Sequence, residues 1–296
     1  MSVPPPSDPP WVSCSALAAR LREAGCVFAE DEAELMLSAA GTAAELAAMA
    51  ERRATGLPLE HVLGRAEFCG MRMVVEPGVF VPRRRTEFLV RQAAAVTRPG
   101  SLVVDLCCGS GALGAALAAA VAREHPPHEQ GSGAAGAAGA AGAAGAVELH
   151  AADIDPAAVR CARRNVAAAG GRVHEGDLFA ALPAVLRGRV DVLLANVPYV
   201  PTDSLGLLPA EARDHEPVIA LDGGADGLDV LRRVAAEVRH WLAPGGRLLV
   251  ETSEDQVEAA ARVLERGGLT VRTARREEPA ATVVTGRRNA SRDGRT

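Results

Sequence analysis

The chain has 296 residues, 32 basic against 37 acidic side chains, and a formal charge of −5 at neutral pH. Its 48% apolar and 23% charged residues are ordinary for a globular protein, with chain enough for one large domain or two smaller ones. The acidic balance and the eight aromatics (five Phe, two Trp, one Tyr) argue against a chain built to grip phosphates or stack bases, so stable nucleic-acid binding is not expected. No apolar run approaches the roughly 20 residues of a membrane-spanning helix. The start, MSVPPPSDPPW, lacks the basic and apolar regions of a secretory signal, so a cytoplasmic location without a membrane partner is expected. Every basic side chain is Arg, which reads as a composition bias rather than a functional signal. Cys14, Cys26, Cys69, Cys107, Cys108 and Cys161 form no C-x-x-C pair and no zinc spacing, and are expected as buried free thiols. His125-Pro-Pro-His128-Glu129 abuts low-complexity sequence, with no element to fix it, so no metal site is assigned.

After the proline-rich start, residues 13–55 carry apolar side chains at helical spacing. Leu17, Leu21, Leu35, Met36, Leu46, Ala47 and Ala50 are expected on apolar faces. Residues 1–60 therefore read as a small helical domain, and its extent suits recognition of a macromolecular substrate. PLEHVLGRAEFCGMRMVVEPGVFVPRR is β-rich and broken by Gly70 and Pro77-Gly78, which predicts a hairpin connector over residues 61–85. A helix follows from residue 86 to about Val96, ended by Pro99-Gly100. From residue 101 the runs SLVVDL, AVELHAAD, RVDVLLAN and GGRLLVE alternate with helical stretches, the signature of a doubly wound α/β domain over residues 86–290. LTVRTARREEPAATVVTGRR adds a terminal hairpin, and ASRDGRT is expected to fray. The Gly/Ala repeat at residues 131–146 interrupts a helix-to-strand connection. Such connections lie at the end of the sheet away from the ligand crevice, so the repeat reads as an inert, flexible insertion.

The chemistry concentrates at strand ends. Asp105-Leu-Cys107-Cys-Gly109-Ser110-Gly111 follows the first strand and opens a helix, and Gly109-Ser-Gly111-Ala-Leu-Gly114 satisfies G-x-G-x-x-G. That string fits a nicotinamide enzyme as well as an S-adenosylmethionine enzyme. Asp105 favours the latter, because a carboxylate just before the glycines repels a pyrophosphate but suits a sulfonium or an amino group. Asp153, in Ala-Asp153-Ile154-Asp155-Pro, stands where ribose hydroxyls would lie. Asp177 ends the third strand and can accept from an adenine amino group, with Leu178 or Phe179 against the ring. The candidate cofactor set is Asp105, Cys107, Gly109, Ser110, Gly111, Asp153, Ile154, Asp177, Leu178 and Asn196.

Asn196-Val197-Pro198-Tyr199 ends the fourth strand and is the candidate catalytic motif. A planar amide or exocyclic amine is a poor nucleophile because its lone pair is delocalised. The Asn196 side chain and the Val197 carbonyl can take its two N–H groups and aim the nitrogen at a methyl donor, while Tyr199 packs on the plane. Catalysis would then come from positioning and polarisation, without a metal.

These motifs resemble the HemK/PrmC family of protein-(glutamine-N(5)) methyltransferases, which modify peptide chain release factors. Val81-Pro82-Arg83-Arg84-Arg85-Thr86-Glu87, DLCCGSGALG, ADIDPAAVRCARRN, NVPYVP and Glu216-Pro217-Val-Ile-Ala-Leu-Asp222-Gly223-Gly224-Ala-Asp226-Gly227-Leu228 match in order across roughly residues 55–290. The resemblance implies a seven-stranded Rossmann-like class I methyltransferase domain, S-adenosylmethionine as cofactor and a release factor as protein partner. It also implies a role in translation termination, with Asn196 and the Val197 carbonyl holding the glutamine amide. Two departures stand out. Val197 replaces the first proline of the family's Asn-Pro-Pro-Tyr, and Arg84 replaces the second proline of Pro-Arg-Pro-x-Thr-Glu. Pro198 still disfavours the helical region for Val197, which preserves the turn. Three other functions stay open at this point. An adenine amino methyltransferase would want a basic channel. A nicotinamide oxidoreductase leaves Asn196–Tyr199 unexplained, and its Tyr-x-x-x-Lys pair is impossible without lysine. A binding module would hold cofactor without turnover.

Overall fold

The computed structural model describes residues 13–126 and 146–290. Four helices come first: α1 (Cys14–Glu23), α2 (Ala29–Ala39), α3 (Ala43–Ala54) and the short α4 (Leu59–Leu63). Ser13 caps α1 by accepting from Ala16 N, and Thr42 caps α3 by accepting from Glu45 N at 3.1 Å while Glu45 accepts from Gly41 N at 2.8 Å. Leu17, Leu21, Met36, Leu46, Ala50 and Val62 make the bundle core. Leu35 is instead 43% exposed, and Ala47 is half-buried. The inward stripe of α2 runs through Ala29, Glu32, Ala33 and Met36, so an acid occupies an inner position that the apolar pattern passes over. Arg53 makes this tolerable: itself buried, it donates to both Glu32 oxygens at 2.6 and 3.0 Å.

The connector differs from its β-rich expectation at its start. Residues 59–63 form α4, which ends at Gly64 in the left-handed region. The hairpin follows as β1 (Arg65–Phe68) and β2 (Met71–Val74), joined by Cys69 and Gly70, both at positive φ as a two-residue type I′ turn requires.

The remaining elements are α5 (Glu87–Ala94), β3 (Leu102–Leu106), α6 (Ala112–Glu124), β4 (Glu148–Asp153), α7 (Pro156–Val166), β5 (Arg172–Glu175), β6 (Val190–Ala195), α8 (Ala210–His215), α9 (Asp229–Trp241), β7 (Leu242–Thr252), α10 (Val257–Arg266), β8 (Thr270–Arg276) and β9 (Ala281–Arg287). Seven strands pair in the order β5-β4-β3-β6-β7-β9-β8, all parallel except β9. This is the expected doubly wound sheet, closed by the terminal hairpin. Every residue of β3 is buried, as a strand covered on both faces demands. One face packs on α5, α6 and the end of α7, the other on α9, α10 and the turn around Phe179. Residues 131–145 of the Gly/Ala repeat, His128, Glu129 and the 291–296 tail lie outside the described residues. Ala146, the last residue of that repeat, accepts from Gly100 N beside the start of β3, at the opposite edge from the strand C-termini.

Asn165 on α7 ties three parts together. Its Nδ2 donates to Val74 O and Ser110 O, both at 2.8 Å, and its Oδ1 accepts from Val74 N at 2.8 Å. A side-chain amide thus completes the free edge of the hairpin and anchors it to the glycine loop. Asn165→Ala strands Val74 N and Ser110 O, while Val74 O keeps Cys161 Sγ at 3.1 Å, and is expected to cost roughly 2 kcal/mol in urea unfolding. An unchanged midpoint would show that water replaces the amide.

Candidate active site

A cavity of about 380 Å³ opens at the C-terminal ends of β3, β4, β5 and β6, the place where a doubly wound sheet offers its crevice. Its floor is the loop after β3. Cys107 and Gly109 both adopt positive φ, and Cys108 N donates to Ala152 O at 3.0 Å, which prolongs the β3–β4 ladder. Cys107, Cys108, Gly109 and Ser110 line the cavity, but Asp105 and Gly111 do not. Gly111, at φ +75, is pressed against α7: a Cβ there would lie 3.0 Å from Ala162 Cβ. Gly114 similarly faces Leu149 and Asp105. Of the three fingerprint glycines, Gly109 alone borders the cavity and the other two allow helix packing.

Asp105 turns away from the cavity and accepts from Gly114 N at 2.8 Å in the first turn of α6. Its carboxylate therefore fills the helix N-terminus that a pyrophosphate would need. Complete burial pushes its carboxyl up to about 7, opposed by the Gly114 bond and reinforced by Asp153. Asp153 lies at the mouth of β4, where Oδ2 accepts from Gly109 N at 2.8 Å and Oδ1 from Asp155 N at 2.9 Å. Burial raises its pKa against these bonds. Asp155 caps α7, with Pro156 in the first turn, and Ile154 stands 47% exposed on the cavity wall. Asp177 and Leu178 also line the cavity, and Asp177 Oδ2 accepts from Arg233 Nη2 of α9 at 2.5 Å.

Asn196, Val197, Pro198 and Tyr199 form the opposite wall. The Asn196 Oδ1 is buried and has no hydrogen-bond partner. Val197 is anchored in the core at 2% exposure. Behind the turn, Val200 N donates to Leu221 O at 3.0 Å and Gly223 N to Val200 O at 2.8 Å. A Cβ on Gly227 would fall 2.2 Å from Tyr199 O, so this close approach demands glycine. Gln256 Nε2 donates to the same Tyr199 carbonyl at 2.9 Å.

The third wall comes from the segment before α5. Val81 N and Arg83 Nη2 donate to the buried Glu216 at 3.1 and 2.5 Å, and Arg85 donates to Tyr199 Oη and Glu251. Thr86, 1% exposed, lines the cavity with a hydroxyl that has no partner. Arg84 is exposed and makes no ion pair among the described residues, so the arginine run is two structural pairs flanking one free cation.

A family profile described as the RMKL-like methyltransferase domain matches residues 89–203, from α5 through the Asn196 turn. The release factor glutamine methyltransferase of Geobacter sulfurreducens is 37% identical over 229 residues, 76% of this chain and 72% of its own. That of Bradyrhizobium diazoefficiens is 30% identical over 278 residues, 86% of each chain. The chain belongs to the release factor glutamine methyltransferase family. A 4-amino-L-phenylalanine/4-methylamino-L-phenylalanine methyltransferase from Streptomyces pristinaespiralis is also 36% identical, over 70% of this chain and 64% of its own. Among solved structures, a methyltransferase from Pyrococcus furiosus superposes with a TM-score of 0.50 at 14% identity over 74% of this chain and 90% of its own, a likeness of fold.

The residues present in this family member fit S-adenosylmethionine. The glycine loop gives close backbone access, acids end β4 and β5, and Asn196 and Thr86, which border the cavity, each carry a buried side-chain oxygen without a partner. The sequence reading passed over Thr86, Arg85, Arg233 and Glu251 as individual site residues. Thr86 and Arg85 were within reach, since they sit in the quoted Val81–Glu87 motif. Arg233 and Glu251 carry no local signal, and only the fold brings them to the strand ends.

Asp105 generates a pH prediction. Between about pH 4 and 7 its native carboxyl, titrating near 7, keeps a proton that the unfolded carboxyl, near 3.8, has lost. The native state then binds more protons, so this contribution to stability is fully present below 3.8 and is lost as pH rises to 7. Urea unfolding of the ligand-free protein at pH 5, 6 and 7 is expected to show that loss in wild type and a flatter profile in Asp105→Asn. Parallel profiles would remove Asp105 as the cause.

Proposed function

We propose that this protein transfers a methyl group from S-adenosylmethionine to the side-chain amide nitrogen of a glutamine in a peptide chain release factor, in the cytoplasm. The unpaired, buried Asn196 Oδ1 carries this reading. A buried acceptor without a donor is costly, and a primary amide N–H is the partner that completes it. The Val197 carbonyl takes the second N–H, so the amide is held in plane with the nitrogen lone pair directed inward. Tyr199 bounds the plane on one face.

S-adenosylmethionine, when bound, supplies an electrophilic methyl carbon on sulfonium sulfur. Asp153 accepts from the ribose hydroxyls and Asp177 from the adenine amino group, with Ile154 and Leu178 against the ring. Gly109 and Ser110 give the close backbone approach. Cys107 contributes wall rather than chemistry, because burial pushes its thiol well above the ordinary range and keeps it protonated. Asp105 supports this floor from behind through α6. The amide nitrogen held by Asn196 would take up the methyl group that the cofactor supplies and release one N–H proton to water. Positioning and polarisation by Asn196 account for the rate, with no general base in the sequence of events.

The N-terminal helices supply the recognition surface for a macromolecular substrate. Arg53 of α3, which holds Glu32, also reaches Glu211 on the cavity rim at 2.5 Å, so that surface and the site share one charge network.

Labelled methyl transfer to purified release factor tests the proposal. Asn196→Ala is expected to lower kcat by roughly 100-fold or more, the scale of one lost transition-state contact, with cofactor affinity changed far less. The label should map to the glutamine of the release factor's Gly-Gly-Gln loop. Label on free 4-amino-L-phenylalanine and none on release factor would move the assignment to small aromatic amines.

A further inference from the structure

Arg85 has no part in the reaction as described, yet its bonds converge on Tyr199. Nη2 donates to the Tyr199 phenol oxygen at 2.6 Å and Nε donates to Glu251 Oε1 at 3.1 Å. The phenol donates in turn to that same Glu251 oxygen at 3.2 Å, closing a triangle, and the guanidinium carbon lies 5.9 Å from the Tyr199 ring centroid. Glu251 is only 3% exposed and does not border the cavity, so it acts on the site only through its partners. Its other oxygen is buried without a partner, which leaves the Arg85 charge as its compensation. Arg85 is itself 47% exposed, and Arg84, also exposed one residue earlier, has no such engagement.

The consequence for Tyr199 is geometric. A phenol has one O–H to donate and lone pairs to accept, and here Glu251 takes the proton while Arg85 fills a lone pair. The other end of the residue is fixed by Gln256 Nε2 on its carbonyl. Pinned at both ends, the ring keeps one plane, while without Arg85 the phenol would hang from a single acceptor. We propose that Arg85 is a positioning residue for methyl transfer: acting through Tyr199, it holds the aromatic wall of the slot that keeps the substrate's planar N–H₂ group beside Asn196. The inference rests on the amide-transfer reading above. A wall with a set plane raises the fraction of bound amides whose nitrogen points along the transfer line, so its loss falls on kcat.

Tyr199 is the sole tyrosine of the chain, so full-length protein carrying ζ-13C tyrosine gives one reporter signal. Burial and Glu251 push the phenol up to about 12, and Arg85 opposes them. Glu251→Gln is therefore expected to bring its ionisation down in pH, while Arg85→Met shifts the resting signal and moves ionisation higher. In transfer assays Arg85→Met is expected to lower kcat about tenfold, with KM and cofactor Kd within about twofold, and Arg85→Lys to recover part of the loss. On a Tyr199→Phe background, Arg85→Met should cost less than about twofold more, because the shared phenol is already gone.

Full additivity of the two substitutions would show that Arg85 acts on substrate directly and would overturn the proposal. So would an unmoved tyrosine signal or an unchanged kcat. If Arg85→Met alone fails to fold, the Arg85→Met/Glu251→Gln pair, which leaves no unpaired buried charge, is read in its place against Glu251→Gln. Wild type that binds cofactor but transfers nothing to release factor overturns the substrate reading instead. The tyrosine signal then decides for or against Arg85 on its own, whatever amine is methylated.

Discussion

The working geometry depends on a close backbone approach. Where β6 ends, Asn196–Val200 leaves the sheet, and its peptide groups must find partners beyond the ladder. The loop Leu221–Gly227 supplies them by lying against it so tightly that side chains at Gly223 and Gly227 would collide with Pro198 O and Tyr199 O. Such contact makes the turn rigid without filling the space in front of it. The Asn196 oxygen can then remain buried and unpaired, held ready by its surroundings.

The same logic divides labour among the strand-end acids. Asp153 adds to the cost of charging Asp105, and Asp105, Asp153 and Asp177 are each held differently. Asp105 is fixed by a helix N–H and sits near its midpoint of ionisation at neutral pH, Asp153 is held by two loop amides, and Asp177 is paired with Arg233. The cavity opposes these acids with Arg83, Arg85 and Arg233 and with nothing cationic at the glycine floor. A cationic methyl donor suits that distribution, and a pyrophosphate does not.

Much of this was legible in the sequence because the signals were local. Strand and helix periodicity gave the sheet, the G-x-G-x-x-G string located the floor, and Asn196–Tyr199 was recognisable from its chemistry. What escaped was long-range. Arg85 meets Glu251 across 166 residues, Arg233 meets Asp177 across 56, and Glu32 meets Arg53 across 21. Periodicity treats Glu32 as a surface residue and Leu35 as a core one, because it cannot see the arginine that reverses them. The fingerprint misled in one respect as well: it assigned Gly111 to the ligand, when α7 is what needs that space.

The two sides of the cavity are built by different means, and this bears on specificity. The glycine-loop side is continuous with the hydrophobic core through β3, β4 and Val197, so its shape is set by the sheet. The opposite side, from Thr202 to Ala220, has no buried residue in any of its three helical pieces. It is held chiefly by polar ties: Thr202 to Asp222, Glu211 to Arg53, and Glu216 to Arg83 and Val81 N. Ties of this kind can be exchanged without repacking the core, whereas the glycine-loop wall cannot change so freely. Substitution on this scaffold is therefore freer where charge pairs rather than packing fix the wall.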